Sequence, residues 1–232
     1  AAMVFALDCA DAGAEVVETL ADALTLPETP IPLKIARLFL VSDILHNSTA
    51  PVRNASRYRG RFEAVLPAVF ESLQEAYRCC ETRMSQEALR RHVLRVLRCW
   101  REKYVFSDDY LNGLQATFLA PPGTTPESLA AANPIKAGEL AALSIEELER
   151  KCRVNGLSTK GDREACITRL LALDAYLNAG NDRGTGPMPL APATTPLFAA
   201  PPATAAADTA HIDAPAAGAG AGAGDTVMAE AV

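Results

Sequence analysis

The segment FLVSDILHNS, residues 39–48, carries polar side chains within an otherwise apolar stretch. In a helix at about 100° per residue, one strip contains Phe39, Asp43, His46 and Asn47. A carboxylate and an amide one turn apart offer hydrogen-bonding groups to an extended peptide, so this strip is a candidate groove floor. The alternative is that the Asp43 and Asn47 side chains bond neighbouring backbone or cap the end of the helix. The pattern alone leaves both interpretations open.

A second pattern, RRHVLRVLRCWREKYVF at residues 90–106, separates arginines from apolar side chains. One helical face comprises Val93, Leu97, Trp100 and Tyr104, and the opposite face comprises Arg91, Arg95 and Arg98. Planar guanidinium groups bind phosphate through paired, charge-assisted hydrogen bonds. The sequence contains no glycine-rich phosphate loop of the Walker or Rossmann type, so we expect a phosphate on a partner and no cofactor. A solvated helical face is the alternative.

The charge distribution favours an anionic partner bound at one place. The net charge of the 232 residues is −6, but residues 34–103 hold fourteen basic residues against seven acids. Residues 1–33 hold six acids and no Lys or Arg. The chain is 49% hydrophobic, which allows a core, and no apolar run reaches the roughly 20 residues of a membrane span. We therefore expect a soluble protein with no membrane partner.

The cysteine pattern indicates a reducing compartment. Six cysteines are scattered without a CxxC pair or a histidine at zinc-finger spacing, so no metal site is predicted. The three histidines, His46, His92 and His211, share no plausible site, and no paired carboxylates or Ser/His/Asp set emerges. The sequence therefore predicts a protein that is not an enzyme.

The first half of the chain reads as successive helices with no credible strand. The predicted helices cover residues 11–24, 32–47, 57–82, 86–104 and 108–119. Ser85 and Ser107 are expected to cap the last two, and Pro67 should kink or split the third. An all-α array of antiparallel helices of this kind curls into a right-handed superhelix or a bundle.

Composition divides the chain into four parts. A helical domain is followed by a linker rich in Pro and small residues, a short two-helix unit, and an Ala/Pro/Gly/Thr-rich tail that is expected to be disordered. The linker is expected to be a flexible tether between bodies that tumble separately. The four parts are residues 1–120, 121–138, 139–178 and 179–232.

The first 120 residues resemble the CID, the domain that binds the C-terminal repeat tail of RNA polymerase II. The segments AMVFALDCADAGAEVVETLADAL, IPLKIARLFLVSDILHNS, NASRYRGRFEAVLPAVFESL and LRVLRCWREKYVFSDDYLNGLQATFL carry this resemblance. It is strongest to the CID of the U2 small nuclear ribonucleoprotein-associated SURP-motif splicing factors. The resemblance implies a right-handed superhelix of eight helices that binds the phosphorylated tail as an extended peptide. It also places the first helix of the family upstream of Ala1.

The resemblance assigns roles to particular residues. Asp43 matches a position that accepts a hydrogen bond from the tail's tyrosine hydroxyl, and Asn47 matches a groove amide that bonds the peptide backbone. Arg95 and Lys103 match arginines of phosphoserine-reading members, although lysine lacks the planar fork. Together with the arginine stripe, these matches give a candidate peptide site of Phe39, Ser42, Asp43, His46, Asn47, Arg91, Arg95 and Lys103.

Residues 139–177 resemble a SAP motif, a two-helix nucleic-acid-binding unit. The matching positions are Leu143, Ile145, Leu148, Cys152, Gly156, Leu157, Ser158, Gly161, Ile167, Arg169 and Leu170. The resemblance implies that the turn and the start of the second helix face phosphates, through Ser158, Thr159, Lys160 and Arg163. Six basic residues against seven acids predict weak binding of RNA or DNA, and a protein-directed role is the alternative.

These resemblances together predict a nuclear splicing and RNA-processing factor. Its expected partners are the phosphorylated polymerase tail, spliceosomal proteins and, weakly, RNA or DNA. The alternative is a helical adaptor of the VHS or ENTH type, which serves membrane traffic. The chain shows no amphipathic lipid-inserting helix at its start, which disfavours that alternative.

Overall fold

The computed structural model describes residues 1–181, and all regular secondary structure in that range is helical. The expected all-α class is confirmed, and the order of packed helices is consistent with a helical superhelix. The predicted disordered tail lies outside the described residues from residue 182 onward. None of the described helices is long and apolar enough to cross a membrane. The helices are α1 (Ala2–Asp8), α2 (Gly13–Thr25), α3 (Ile31–Asn47), α4 (Arg57–Arg78), α5 (Arg83–Glu102), α6 (Asp108–Leu119), α7 (Pro126–Ala132), α8 (Pro134–Ala141), α9 (Ile145–Val154) and α10 (Arg163–Asn181), with a 3-10 turn at Ala10–Ala12.

Helices α2 to α6 correspond to the five predicted segments, with differences at their ends. Ser107 caps α6 as expected, because its hydroxyl accepts a hydrogen bond from the Tyr110 amide at 3.3 Å. The cap of α5 is Thr82 rather than Ser85, since the Thr82 hydroxyl accepts from the Ser85 amide at 3.2 Å. The polar cap therefore lies three residues earlier than predicted.

Pro67 was predicted to kink or split its helix, and the structure excludes the split, because α4 runs unbroken through this residue. A proline cannot donate a hydrogen bond to the carbonyl four residues earlier, which is that of Glu63. The hydroxyl of Tyr110 on α6 donates to this carbonyl at 2.7 Å instead. The two helices are thus joined at the point where α4 lacks its own hydrogen bond.

All six of the first helices contribute buried side chains to one apolar core. Trp100 at its centre is 1% exposed and lies against Phe70 and Phe106, with ring centroids 6.3 and 5.6 Å away. The hydroxyl of Tyr58 on α4 donates to the carbonyl of Ala6 at 2.6 Å, which ties α1 to the same core. The aromatic side chains therefore hold the helices that carry the candidate groove.

A buried lysine fixes the start of α3. The ammonium group of Lys34 donates to the carbonyls of Leu24 and Leu26, at 2.5 and 2.7 Å, and so caps the end of α2. Burial, reinforced by the neighbouring charge of Arg37, lowers the pKa of Lys34. This contact sets how the groove helix leaves the turn before it.

The segment predicted as a linker contains two helices rather than a tether. Thr125 and Ser128 form a capping box at the start of α7, and Asn133 caps α8 through the amide of Lys136. Leu129 and Leu140 are buried in the same apolar cluster as α9 and α10. Prolines 126 and 134 stand in the first turns of these helices, where proline is favoured.

Helices α9 and α10 pack directly on α6, and α7 and α8 pack on α10, so the described residues form one compact body. A Cβ built on Gly113 of α6 would lie 1.6 Å from the Asn155 carbonyl oxygen. A Cβ on Gly156, which has a φ of +59°, would lie 2.3 Å from the Tyr110 carbonyl oxygen. Only glycine allows this approach of the two backbones. This arrangement differs from the expectation that residues 1–120 and 139–178 tumble separately.

Two polar contacts bridge the same interface. The guanidinium of Arg169 on α10 lies 2.9 Å from the carboxylate of Glu71 on α4, and both side chains are about one-quarter to one-third exposed. The amide of Gln115 on α6 donates to the Tyr176 hydroxyl at 2.7 Å. These contacts position the α9–α10 turn against the first six helices.

Candidate peptide-binding site

Helices α3 and α5 lie side by side and carry the two predicted patterns. The indole nitrogen of Trp100 donates to the Ser42 hydroxyl at 3.1 Å. The rings of Phe39 and His92 meet edge to face, with centroids 5.4 Å apart. These two contacts hold the strip on α3 next to the arginine-bearing helix.

The α3 strip is accessible in part. Asp43 and His46 are exposed, whereas Phe39 and Asn47 are half-buried. The amide group of Asn47 donates to the Asp43 backbone carbonyl at 2.8 Å, which is the local backbone contact that the sequence left open. Its side-chain oxygen is left as an acceptor, and the Asp43 carboxylate is open to a ligand. Ser42 supports the groove through Trp100 rather than offering a free hydroxyl.

The α5 stripe presents its cations to solvent. Arg91, Arg95 and Arg98 are exposed, and none of the ion pairs among the described residues involves them. Lys103 is also exposed and follows the last helical residue, where a positive charge is favoured by the helix dipole. The stripe therefore has guanidinium groups without an ion-pair partner among the described residues, and the planar fork of a guanidinium suits phosphate.

One member of the predicted apolar face differs from expectation. Val93, Leu97 and Trp100 are buried, but Tyr104 is 86% exposed. Helix α5 ends at Glu102, so Tyr104 no longer follows the helical periodicity on which the prediction rested.

His92 is a groove residue that the sequence patterns did not single out. It is half-buried beside Phe39, and its Nδ1 atom is buried with no hydrogen-bond partner among the described residues. Burial lowers the pKa of His92, and the charges of Arg91 and Arg95 lower it further. The sequence signal that could have indicated this residue is its position between Arg91 and Arg95 on a helix that packs against the apolar α3.

The four predicted nucleic-acid contacts are not equally accessible. Ser158 is 5% exposed, and its hydroxyl accepts from the Lys160 amide at 3.2 Å. The guanidinium of Arg163 donates to the carbonyls of Ala141 and Leu143, at 2.5 and 2.7 Å. Thr159 is half-buried, and Lys160 is exposed. Arg163 is exposed as well, and only one of its guanidinium nitrogens makes these bonds, so the turn offers Lys160, part of Thr159 and the rest of the Arg163 side chain to a ligand.

A cleft of about 450 Å³ separates this turn from α4. Its walls combine small residues with charged ones. They are Gly60, Glu63, Ala64, Pro67, Ala68, Arg153, Leu157, Ser158, Thr159 and Lys160. The α9–α10 turn therefore faces both solvent and α4.

The cysteines are free thiols in two different environments. Cys152 and Cys166 are fully buried in the cluster of the last four helices, and burial raises the pKa of Cys152 to about 12. Cys79 is exposed. Among residues 1–181 no group of three or more His, Cys, Asp or Glu side chains could hold a metal ion.

The exposed carboxylate on α3 thus lies on a helix that packs beside α5, which carries three exposed arginines. Residues 3–114 match the family described as the CID domain, and they form a CID domain.

Among known proteins, the chain is similar to two from Arabidopsis thaliana. Protein RRC1 is 46% identical over 204 residues, which cover 75% of this chain and 22% of that protein. Protein RRC1-like is 45% identical over 203 residues, covering 74% of this chain and 21% of that protein. The similarity extends beyond the CID domain, and the chain spans about a fifth of the length of these relatives. No solved structure gives a significant match.

Proposed function

We propose that this protein reads the phosphorylated C-terminal repeat tail of RNA polymerase II through the groove between α3 and α5. The observation that carries the proposal is the juxtaposition of an open carboxylate, Asp43, with a helix whose exposed arginines have no ion-pair partners in the described structure. The hydrogen bond from Trp100 to Ser42 holds the two helices in register.

Each groove residue has a chemical role in this proposal. Asp43 accepts a hydrogen bond from a tyrosine hydroxyl of the peptide, and the Asn47 oxygen accepts from its backbone. Phe39 and His46 line the groove. Arg95, assisted by Arg91 and Lys103, binds a phosphoserine.

The proposed setting is nuclear RNA processing by a protein that binds and does not catalyse. The CID match over residues 3–114 and the similarity to the RRC1 proteins support this setting over a VHS or ENTH-type adaptor. The resemblance to U2-associated SURP-motif splicing factors adds spliceosomal proteins as partners. In this role the groove couples splicing to the transcribing polymerase.

Isothermal titration of the whole chain with two-repeat tail peptides tests the proposal. The peptides differ only in which serine is phosphorylated. We expect one phosphorylated form to bind more tightly than the plain peptide, and added salt to shrink the difference, because guanidinium–phosphate attraction is screened. Equal affinity for all peptides would contradict the proposal.

We also propose that the α9–α10 turn binds nucleic acid weakly, as the SAP-like resemblance implies. The exposed Lys160 next to the cleft supports this proposal. The contact area is limited because Ser158 is buried and Arg163 already donates to two backbone carbonyls. Adding a single-stranded oligonucleotide at low salt should shift amide signals of residues 157–164 in NMR spectra, and Lys160→Glu should remove the shifts. Shifts confined to the groove would contradict this proposal and leave the peptide proposal intact.

A further inference from the structure

Tyr104 occupies a backbone position that suits glycine. Its φ is +52°, in the left-handed region that residues with a side chain rarely adopt. The Tyr104 amide donates to Arg101 at 3.2 Å and the Val105 amide donates to Trp100 at 2.9 Å. This hydrogen-bond pair is the Schellman motif that ends many helices, in which glycine is the usual residue at the position of Tyr104.

The tyrosine ring contributes little packing to the fold. The side chain is 86% exposed, and its hydroxyl has no hydrogen bond among the described residues. The next residue, Val105, is 5% exposed and supplies the apolar contact that accompanies this motif. Tyr104 therefore destabilises the helix end without a compensating contact inside the body. Backbone strain of this kind is found where a residue serves a binding site.

Tyr104 follows the C-terminal end of α5, the helix that forms one side of the candidate peptide groove. Trp100 lies against Ser42, so the C-terminal end of α5 adjoins the part of α3 that carries Asp43. The helix ends at Glu102, about 10 Å along its axis beyond Arg95, at about 1.5 Å per residue. An extended peptide covers that distance in about three residues.

We propose that Tyr104 is a further peptide-binding residue, and that its ring packs on an apolar or proline side chain about three residues from the phosphate held by the arginine stripe. This inference rests on the proposed function of the groove. The open carboxylate of Asp43 in the same groove favours a peptide over a continuous polyanion. Exposed tyrosines are enriched among the residues that dominate binding energies.

Two substitutions at this position separate binding from stability. Tyr104→Gly removes the ring and relieves the backbone, so we expect an unchanged or higher Tm together with binding of the phosphorylated two-repeat peptide about five- to tenfold weaker. Tyr104→Phe keeps the ring and should retain affinity within about twofold. If Tyr104 had only a structural role, its substitution would not lower the peptide affinity while leaving the Tm unchanged.

The same helix offers a matched control. Met84, in the first turn of α5, is 85% exposed, so Met84→Ala removes a comparably exposed apolar side chain at the other end of the helix and should leave affinity unchanged. Glycine is then substituted in turn at each peptide position within four residues of the phosphoserine. At one position the substitution should weaken binding to the parent protein but not to Tyr104→Gly.

The outcomes distinguish this inference from the function on which it rests. If the parent binds phosphopeptide and Tyr104→Gly binds equally well, the inference is wrong and the proposed function stands. If the parent binds no phosphopeptide, both are wrong. If Tyr104→Gly weakens binding of single-stranded RNA but not of the peptide, the ring serves nucleic acid and the peptide assignment is overturned.

Discussion

Replacing Gly113 by alanine tests whether the last four helices are part of the same body as the CID domain. The new Cβ would lie 1.6 Å from the Asn155 carbonyl oxygen, a backbone atom that cannot swing aside. Either α6 or the α9–α10 turn must therefore move. Forcing one extra methyl into a packed contact costs about 1–3 kcal/mol. For a body of this size, about 1 kcal/mol corresponds to a Tm change of roughly 2–4 °C, so we expect the Tm to fall by about 2–12 °C.

Thermal unfolding followed by circular dichroism measures this effect, and two other glycines provide the control. A Cβ on Gly60 or Gly138 meets no atom within 4 Å, and both residues are helical. Gly60→Ala and Gly138→Ala should therefore be neutral or stabilise the protein by about 0.5–1 kcal/mol. NMR relaxation should also show residues 1–120 and 139–178 reorienting together in the parent. Equal Tm values for Gly113→Ala and Gly60→Ala, with independent reorientation of the two parts, would refute the packed interface.

Three further predictions concern the groove. Asp43→Ala should weaken binding of the phosphorylated tail peptide by about 1–3 kcal/mol. Asn47→Ala should weaken it less, because the Asn47 amide already bonds the helix backbone. A folded double variant that binds the peptide normally in calorimetry would rule out the groove. Arg95→Ala should remove most of the preference for phosphorylated over plain peptide, whereas Lys103→Arg should preserve or increase it, and the ratio of the two dissociation constants is the readout. Burial lowers the pKa of His92 below its usual value near 6.5, so the stability present above that pH should be lost as the pH falls toward the folded-state pKa. His92→Gln should therefore reduce the fall in Tm below about pH 6.5, and identical Tm profiles of parent and variant would contradict this.

The helices of the first half could be predicted because their signals are local. Apolar periodicity and the Ser107 cap lie within the segments that they define. The path of α4 through Pro67 could not, since the Glu63 carbonyl finds its donor in Tyr110, 47 residues further along the chain. The helices within the predicted linker could not be predicted because its composition is ambiguous. Proline is typical of linkers, but Pro126 and Pro134 stand where proline begins a helix.

The candidate site was predictable in its charges more than in its contacts. Helical spacing was enough to place Arg91, Arg95 and Arg98 on the face of α5 opposite its apolar side chains, and all three are exposed. It could not show that the Ser42 hydroxyl is bonded to Trp100, because that requires the crossing of two helices. Tyr104 was assigned to the wrong face because α5 ends two residues before it.

The packing of α6 has a practical consequence for choosing a fragment to express. The family match ends at residue 114, within this helix. Leu111, Leu114 and Phe118 belong to the core of the first six helices, whereas Ala116 belongs to the cluster of the last four. Truncation at residue 114 would remove part of α6, which contributes to both cores. Truncation at residue 120 would expose the side of α6 that packs against the last four helices. The boundary drawn by similarity is therefore shorter than the unit that folds, and a fragment intended for crystals or spectra should end after α10.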